Sequence, residues 1–256
     1  MKLYDYHTHN GYSGCASKAP YSVAEGWKII QSRGVTKWGI SNHYQTRSIY
    51  GDYFPALRAE INSMHNDNIL LGVELEMNSE EGKCALTPQQ LGLLDYIIGS
   101  VHNLPHNFLS LPDVDEEEIA EFFGSFRNIL VNGLEKIPVR IWGHPFMNEF
   151  DEWGDAYWKD HLLPIYEKCL DIIERRHIAI DINPSYAGKC KKFPGVEQVL
   201  DEMFALAVDR SDVYFVTSSD AHSLANLGDL TIPLHYIEKY QISSNRILEI
   251  DKKGIS

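Results

Sequence analysis

The sequence predicts a single parallel β/α barrel of seven strands, TIM-like but distorted. Short apolar runs alternate with helix-like segments along the whole chain, and residues of metal-binding type directly follow most of these runs. Successive β-α-β crossovers are right-handed and place their helices around the outside of a parallel sheet. Because a barrel gathers distant residues at the carboxyl ends of its strands, we expect one shared site there. Seven strand-plus-helix units rather than eight predict an incompletely closed barrel.

Seven short apolar runs are the predicted strands. Each is followed by a polar loop or by a helix-like segment, as sequential strand and helix units require. The runs span residues 3–6, 38–40, 69–73, 96–101, 139–142, 179–182 and 214–216.

The helices between these strands carry their own signals. Ser22 and Glu25 form an S-x-x-E capping box ahead of an apolar segment, which predicts a helix start. The acidic run 113–118 opens another apolar-periodic segment, where carboxylates favour a helix N-terminus. Further helix-like segments span residues 53–66, 87–94, 115–132, 156–176 and 196–210.

Length and composition indicate one ordinary globular domain. The 256 residues suit a single barrel, so we expect residues 1–256 to form one domain. Apolar residues make up 44% of the chain and charged residues 23%, as in soluble globular proteins. No apolar stretch approaches the ~20 residues of a membrane span, and no signal-peptide pattern is present. We therefore expect a cytoplasmic protein without a membrane partner; the sequence indicates no oligomeric state.

Charge and cysteine spacing narrow the functional classes. The formal net charge of −13 works against nucleic-acid binding, because that affinity depends on basic groups that neutralise phosphates. A nuclease activity is disfavoured for the same reason. The four cysteines show no CxxC spacing, so we expect free thiols rather than disulfides.

Eight residues of metal-binding type lie near the ends of predicted strands. His7 and His9 stand two apart, so both side chains point to one side and can reach one ion. Asp220 and His222 repeat this spacing, and the carboxylate of Glu74 would be costly to bury without a cation. Taken singly, each histidine is more simply a structural residue, but together the eight predict a metal cluster. They are His7, His9, His43, Glu74, His102, His144, Asp220 and His222.

Six short motifs contain these residues, and a seventh motif lies at the end of the predicted strand 179–182. They read YDYHTH at 4–9, SNH at 41–43, GVE at 72–74, GSVH at 99–102, GHP at 143–145, DIN at 181–183 and SDAH at 219–222. Their order and wording resemble the PHP family, the polymerase and histidinol phosphatase superfamily of metal-dependent phosphoesterases. The resemblance is histidinol-phosphatase-like and covers nearly the whole chain.

The resemblance implies a seven-stranded distorted β/α barrel that holds up to three metals at its C-terminal end. The first ion would have four ligands: His7, His9, Glu74 and Asp220. The second would have three: Glu74, His102 and His144. A third ion would be held by His43 and His222.

Two positions around the third site depart from the family. Relatives add a His or Asp ligand from the loop after the H-x-H motif, and here Cys15 stands in that position. Asn42 occupies the position before His43, where the family commonly has Asp, and keeps an acceptor but drops a charge. A thiolate is a good ligand for zinc and a poor one for manganese or magnesium. The sequence fits a buried thiol at Cys15 equally well. The sequence therefore predicts two or three divalent ions and leaves zinc, manganese and iron open.

Two cations bridged by a carboxylate predict hydrolytic chemistry. Such ions can share a water, lower its pKa enough to supply a bridging hydroxide, and polarise the substrate oxygen. We expect Glu74, Asp220 and His222 to act in catalysis. No Walker loop, G-x-S-x-G elbow or GxGxxG turn appears, which disfavours nucleotide cradling, serine esterase chemistry and dinucleotide binding. The leading hypothesis is a phosphoesterase that cleaves a small anionic phosphomonoester.

A phosphate group also needs cationic or N–H donors for its free oxygens. Basic residues hold the phosphate in comparable loops of histidinol-phosphatase-like relatives. Here the lysines lie in a predicted loop after the DIN motif, and every candidate has a plain alternative as an exposed or structural residue. The candidates for substrate contact are Arg47, Lys189, Lys191, His106 and Asn183.

Two other functions fit the same ligands. The first is an amidohydrolase-like metal hydrolase that acts on a substrate without phosphate. The second is a non-catalytic metal-binding domain, as family members attached to polymerases can be. Convergence of the basic residues on the metals would favour the phosphatase over both.

Overall fold

The computed structural model of this protein describes residues 2–16, 18–44, 51–102 and 115–252. Within these ranges, parallel strands form one sheet in the order β1-β2-β4-β5-β6-β7-β8, and a short β3 pairs with β4. The strands are β1 (Leu3–Asp5), β2 (Val35–Ile40), β3 (His43–Tyr44), β4 (Ile69–Glu76), β5 (Tyr96–Ser100), β6 (Ile141–Trp142), β7 (Ala179–Ile182) and β8 (Tyr214–Thr217).

The first and last strands lie side by side, which curls the sheet into a nearly closed barrel. The backbone N–H of Tyr6 donates to the carbonyl of Thr217 at 3.4 Å, and that of His9 donates to Ala221 at 2.8 Å. The predicted distorted barrel of seven strands is therefore confirmed. Among the described residues, β3 is the one strand that was not predicted, because two residues carry no periodicity to detect.

Helices follow the strands and cover the outside of the barrel, as βα units require. Ser22 and Glu25 form the predicted capping box at the start of α1. Asp115 caps α4 by accepting the N–H of Glu118 at 2.9 Å. The helices are α1 (Val23–Ser32), α2 (Phe54–Ser63), α3 (Pro88–Leu91), α4 (Glu116–Lys136), α5 (Met147–Trp153), α6 (Leu163–Arg176), α7 (Tyr186–Lys192), α8 (Pro194–Val208) and α9 (Thr231–Lys239).

Three helices, α5, α7 and α9, were not predicted. The prediction that the lysines after the DIN motif lie in a loop is wrong, because residues 186–192 form α7. A helix of seven residues with a glycine in its middle gives too little periodicity to predict from sequence. The predicted helix 156–176 also begins differently, since Trp158–Leu162 is a π-helical turn ahead of α6.

The barrel interior is filled by large side chains that pack over glycines. Tyr96 of β5 donates its hydroxyl to the carbonyl of Tyr6 and lies against Gly39 and Gly72. A Cβ added at Gly39 would lie 2.0 Å from Oη of Tyr96, so only glycine fits there. No helix in the described ranges is both long and apolar enough to span a membrane.

Candidate metal centre

The eight predicted ligands meet at the C-terminal end of the barrel. Glu74 lies within β4 and its register partner His43 begins β3, whereas the other six stand just after their strands. Seven of the eight side chains are at least 89% buried, and His222 is the exception with 36% exposure. The sequence prediction that one cluster forms at the strand ends agrees with this arrangement.

Glu74 stands at the centre, and its two carboxylate oxygens face different histidines. Oε1 lies 3.0 Å from Nε2 of His102 and 2.9 Å from Nε2 of His144. Oε2 lies 3.1 Å from Nε2 of His7 and 2.9 Å from Nδ1 of His43. A carboxylate placed in this way can bridge two cations, with one oxygen directed at each.

Asp220 joins the group on the Oε2 side of Glu74. Its Oδ1 lies 3.3 Å from Nε2 of His9 and 3.7 Å from Nε2 of His7. Nε2 of His9 in turn lies 3.5 Å from Oε2 of Glu74. These four side chains are the ones that the family resemblance assigns to the first ion.

Many of these short contacts are not hydrogen bonds. Nε2 of His7, Nε2 of His9, both ring nitrogens of His43 and Oε2 of Glu74 are buried without a hydrogen-bond partner among the described residues. Leaving buried polar atoms unpaired is costly, and native proteins rarely do so. These nitrogen and oxygen atoms are potential metal ligands that face one another. A divalent cation between them would coordinate all of them and so offset the cost of burying them.

Hydrogen bonds at Nδ1, the ring nitrogen that faces away from the cluster, fix the tautomers of three histidines. Nδ1–H of His7 donates to Oδ2 of Asp181 at 2.9 Å, and Nδ1–H of His102 donates to Oε2 of Glu76 at 2.7 Å. Nδ1–H of His222 donates to the backbone carbonyl of Asp220 at 2.8 Å. Because these oxygens can only accept, the proton is on Nδ1 and the lone pair is on Nε2, as in carboxylate–histidine–metal arrangements.

The tautomer of His9 follows from the hydroxyl beside it. Oγ of Ser13 donates its one proton to Oδ1 of Asn42 at 3.0 Å. The same Oγ must therefore accept from Nδ1–H of His9, which lies 3.3 Å away. Nε2 of His9 therefore presents its lone pair to the cluster. Ser13, Asp181 and Glu76 were not predicted to support the histidines, although Glu76 stands two residues after Glu74 and so lies on the same face of the strand.

The carboxylates in the cluster are ionised. Burial alone raises the pKa of Glu74, but His43, His7 and His102 outweigh it and hold that pKa well below its usual range. The pKa of Asp220 is likewise held well below its usual range, because His7 and His9 outweigh its burial. Burial lowers the pKa of His9 to about 3, so this ring is neutral and free to act as a ligand.

Two of the clustered residues have strained backbone. The φ angle of His144 is 27° and that of Asp220 is 45°, in the left-handed region that residues other than glycine rarely adopt. Such strain typically persists where function requires a particular side-chain direction.

Cys15 lies beside the cluster, as the sequence predicted. Its side chain forms a group with His9, His43 and His222 in which the potential ligand atoms all lie within 4.8 Å of one another. Asn183 contacts one candidate ligand and one supporting carboxylate, since its Nδ2 donates at 3.1 Å to Oδ2 of Asp220 and at 3.1 Å to Oδ2 of Asp181.

The structure describes only some of the residues that were predicted to contact the substrate. Lys189 and Lys191 lie in the last turn of α7 rather than in a loop, and Lys191 is exposed. Arg47 and His106 lie outside the described residues. The role of all five candidates in substrate binding stays a prediction.

Comparison with known proteins identifies the family. A family model for the PHP domain matches residues 5–185. Over 247 residues the chain is 25% identical to a probable phosphatase of Aliivibrio fischeri strain ES114, a match that covers 95% of this chain and 88% of that protein. A probable phosphatase of Vibrio parahaemolyticus serotype O3:K6 is 24% identical over 246 residues, with coverage of 95% and 87%.

A solved structure shows the same fold. The crystal structure of histidinol phosphate phosphatase from Lactococcus lactis subsp. lactis, complexed with zinc, L-histidinol and phosphate, superposes with a TM-score of 0.68 at 14% identity. The match covers 100% of this chain and 98% of that one. Because the family model spans most of the sequence, the chain belongs to the PHP domain family.

Proposed function

We propose that this protein is a metal-dependent phosphatase that hydrolyses small phosphomonoesters. The observation that carries the proposal is the central Glu74, whose two oxygens face separate groups of histidine nitrogens at 2.9–3.1 Å. Membership of the PHP family and the likeness to probable phosphatases support a phosphate substrate.

The donor set fits two bridged divalent cations. His7, His9 and Asp220 with Oε2 of Glu74 would hold the first, and His102 and His144 with Oε1 of Glu74 would hold the second. When bound, such ions lower the pKa of water and polarise a phosphoryl oxygen. Nitrogen and carboxylate ligands of this kind accept zinc, manganese or iron, so the metal is set by supply as well as by the protein.

The protein's own residues hold this centre in one geometry. Asp181 and Glu76 keep His7 and His102 in the tautomer that presents Nε2. Asn183 ties Asp181 to Asp220 and so fixes the distance between the ends of β7 and β8. We propose that Asp220 and His222 act in catalysis, because they are the most exposed of the clustered residues and therefore lie on the side that substrate reaches.

A groove beside Asp220 gives room for the part of the substrate that carries no phosphate. Its volume is about 450 Å³, and its walls are mostly polar side chains from the loops after β7 and β8, with the start of α9. Hydrogen bonds from Thr231 hold the pKa of Asp229 below its usual range, so this wall is anionic. The lining residues are Pro184, Ser185, Ser219, Asp220, Asn226, Asp229, Thr231 and Ile232.

Phosphate release from a panel of phosphomonoesters tests the proposal. The panel includes L-histidinol phosphate, sugar phosphates and nucleoside monophosphates, and the stripped protein is loaded separately with manganese, zinc and iron. We expect His9→Ala to abolish release, and the matched variant of an exposed residue of α9, His235→Ala, to retain it. Failure of the loaded wild-type protein to release phosphate from any substrate would overturn the proposal and favour an amide-bond hydrolase or a non-catalytic domain.

A further inference from the structure

Cys15 is held next to three histidines by a short 3₁₀ turn, Gly14–Ala16. Its thiol and the rings of His9, His43 and His222 offer ligand atoms that all lie within 4.8 Å of one another. The ring centroids of His43 and His222 each lie 4.5 Å from that of His9. Within the described ranges, Cys15 is the one cysteine that takes part in such a group.

A buried network of amides builds this turn. Nδ2 of Asn42 donates to Oδ1 of Asn10 at 2.8 Å, while Oδ1 of Asn42 accepts the N–H of Asn10 at 2.9 Å and Oγ of Ser13 at 3.0 Å. Oγ of Ser13 also accepts the N–H of His43 at 3.0 Å. An aspartate at position 42 has no N–H to give to Asn10. Asn42 and Cys15 are therefore linked, since the amide holds the turn that presents the thiol.

Each histidine ring of this group has at least one nitrogen that can bind a metal. Nδ1 of His9 and Nδ1 of His222 are occupied by Ser13 and by the carbonyl of Asp220, which leaves each Nε2 as a lone-pair donor. Both nitrogens of His43 are buried without a hydrogen-bond partner among the described residues. The buried Nε2 of His43, which has no partner among the described residues, is thus an observation, independent of the thiol, that points to a cation, while Nδ1 of the same ring faces Oε2 of Glu74 at 2.9 Å.

We propose that the Cys15 thiolate, together with His43 and His222, holds a third ion of the zinc class. Nε2 of His9 has a single lone pair and lies 3.3 Å from Asp220, so it serves the first ion. The third site is then left with one sulfur and two nitrogens, and its fourth position is open to an exogenous ligand. Sulfur selects zinc over manganese or magnesium, whereas the two sites around Glu74 contain only nitrogen and oxygen.

This proposal shares the metal centre of the proposed function but does not depend on phosphatase activity. Its direct test is cobalt(II) added to the metal-free protein, because a cobalt–thiolate bond gives a near-ultraviolet charge-transfer absorption that nitrogen and oxygen ligands do not. We expect the band in the wild-type protein, its loss in Cys15→Ser, and its retention in Cys84→Ser and Cys190→Ser.

Metal competition gives a second readout. In excess manganese we expect the wild-type protein to retain one zinc ion per chain, and Cys15→Ser to lose it with an affinity decrease of roughly tenfold or more. Cys15→His keeps a ligand at this position and should retain the third ion without the charge-transfer band, which separates lost coordination from misfolding. Absence of the band from fully loaded wild-type protein, or its persistence in Cys15→Ser, would overturn the proposal while leaving the phosphatase proposal standing.

Discussion

Nδ1 of His7 lies 2.9 Å from Oδ2 of Asp181, a residue 174 positions away in the chain. Both side chains are almost completely buried, at 1% and 0% exposure. Asp181 also accepts Oγ of Ser218 at 2.5 Å and Nδ2 of Asn183 at 3.1 Å. All three neighbours are donors, so the carboxylate is fully used in orienting His7 towards the cluster.

Replacing Asp181 with asparagine should weaken metal binding. In Asp181→Asn one oxygen becomes an NH₂ group that faces a donor, and the orientation of His7 is lost. We expect the affinity for the first ion to fall about 10–100-fold, the usual effect of removing a residue that supports a ligand. Isothermal titration of the metal-free protein with zinc measures this, and unchanged affinity would contradict the role of Asp181. Asp67→Asn is the matched control, because that side chain is 92% exposed.

Packing inside the barrel should fail when Gly39 is replaced. In Gly39→Ala the new Cβ would lie 2.0 Å from Oη of Tyr96, which is itself bonded to the carbonyl of Tyr6. We expect the free energy of unfolding to fall by about 1–3 kcal/mol. Gly124→Ala in α4 is the control, since nothing lies within 4 Å of the added Cβ, and it should be neutral or stabilising by up to about 1 kcal/mol. Urea unfolding of both variants decides the point; equal stability would contradict the packing argument.

The buried carboxyl of Glu149 should make stability depend on pH. Glu149 is 2% exposed and burial raises its pKa to about 8 from 4.5. The folded protein therefore keeps a proton that the unfolded chain releases. Consequently the free energy of unfolding should fall between pH 4.5 and about 8, by up to about 1.4 kcal/mol per pH unit.

Glu149→Gln removes this titration and isolates it from the other buried groups. The stability difference between the variant and the wild-type protein should grow in favour of the variant as the pH rises through this range. Urea unfolding of the metal-free proteins at several pH values from about 5 to about 8 measures the difference. A difference independent of pH would contradict the assignment.

The chain should unfold as one domain. Backbone hydrogen bonds join Tyr6 and His9, just after β1, to Thr217 and Ala221 at the end of β8, so closing the barrel brings together residues more than 200 positions apart. We therefore propose that residues 1–256 form a single cooperative unit. Calorimetry of the metal-free protein should show one transition, and two separated transitions would contradict this.

The strands and the clustering of the eight candidate ligands were predictable because both depend on local patterns. Apolar runs predict the strands. A residue of metal-binding type directly after a run predicts which end of the barrel carries the site. The pairs that orient the ligands were not predictable in the same way. His7 and Asp181 meet only through the pairing of β7, β8 and the start of the chain, and no spacing in the sequence records that contact.

Short elements and loops account for the other differences. β3 has two residues and α7 has seven, so neither shows a full repeat of its periodicity. The lysines after the DIN motif illustrate the consequence, because their composition resembles an exposed loop although the backbone is helical. In contrast, the family resemblance did place Cys15 and Asn42 around the same predicted site. The amide network of Asn42 links the two, because it holds the turn that carries Cys15.

Phosphate release measured against equivalents of added metal tests the central claim most directly. The claim is that Glu74 joins two cations in one hydrolytic centre. With metal-free protein, the best substrate of the panel and manganese as the added metal, which the proposed thiolate site disfavours, activity should stay low after the first equivalent and rise with the second. Glu74→Gln should remain inactive at any loading. Full activity with one equivalent, or an active Glu74→Gln protein, would contradict it.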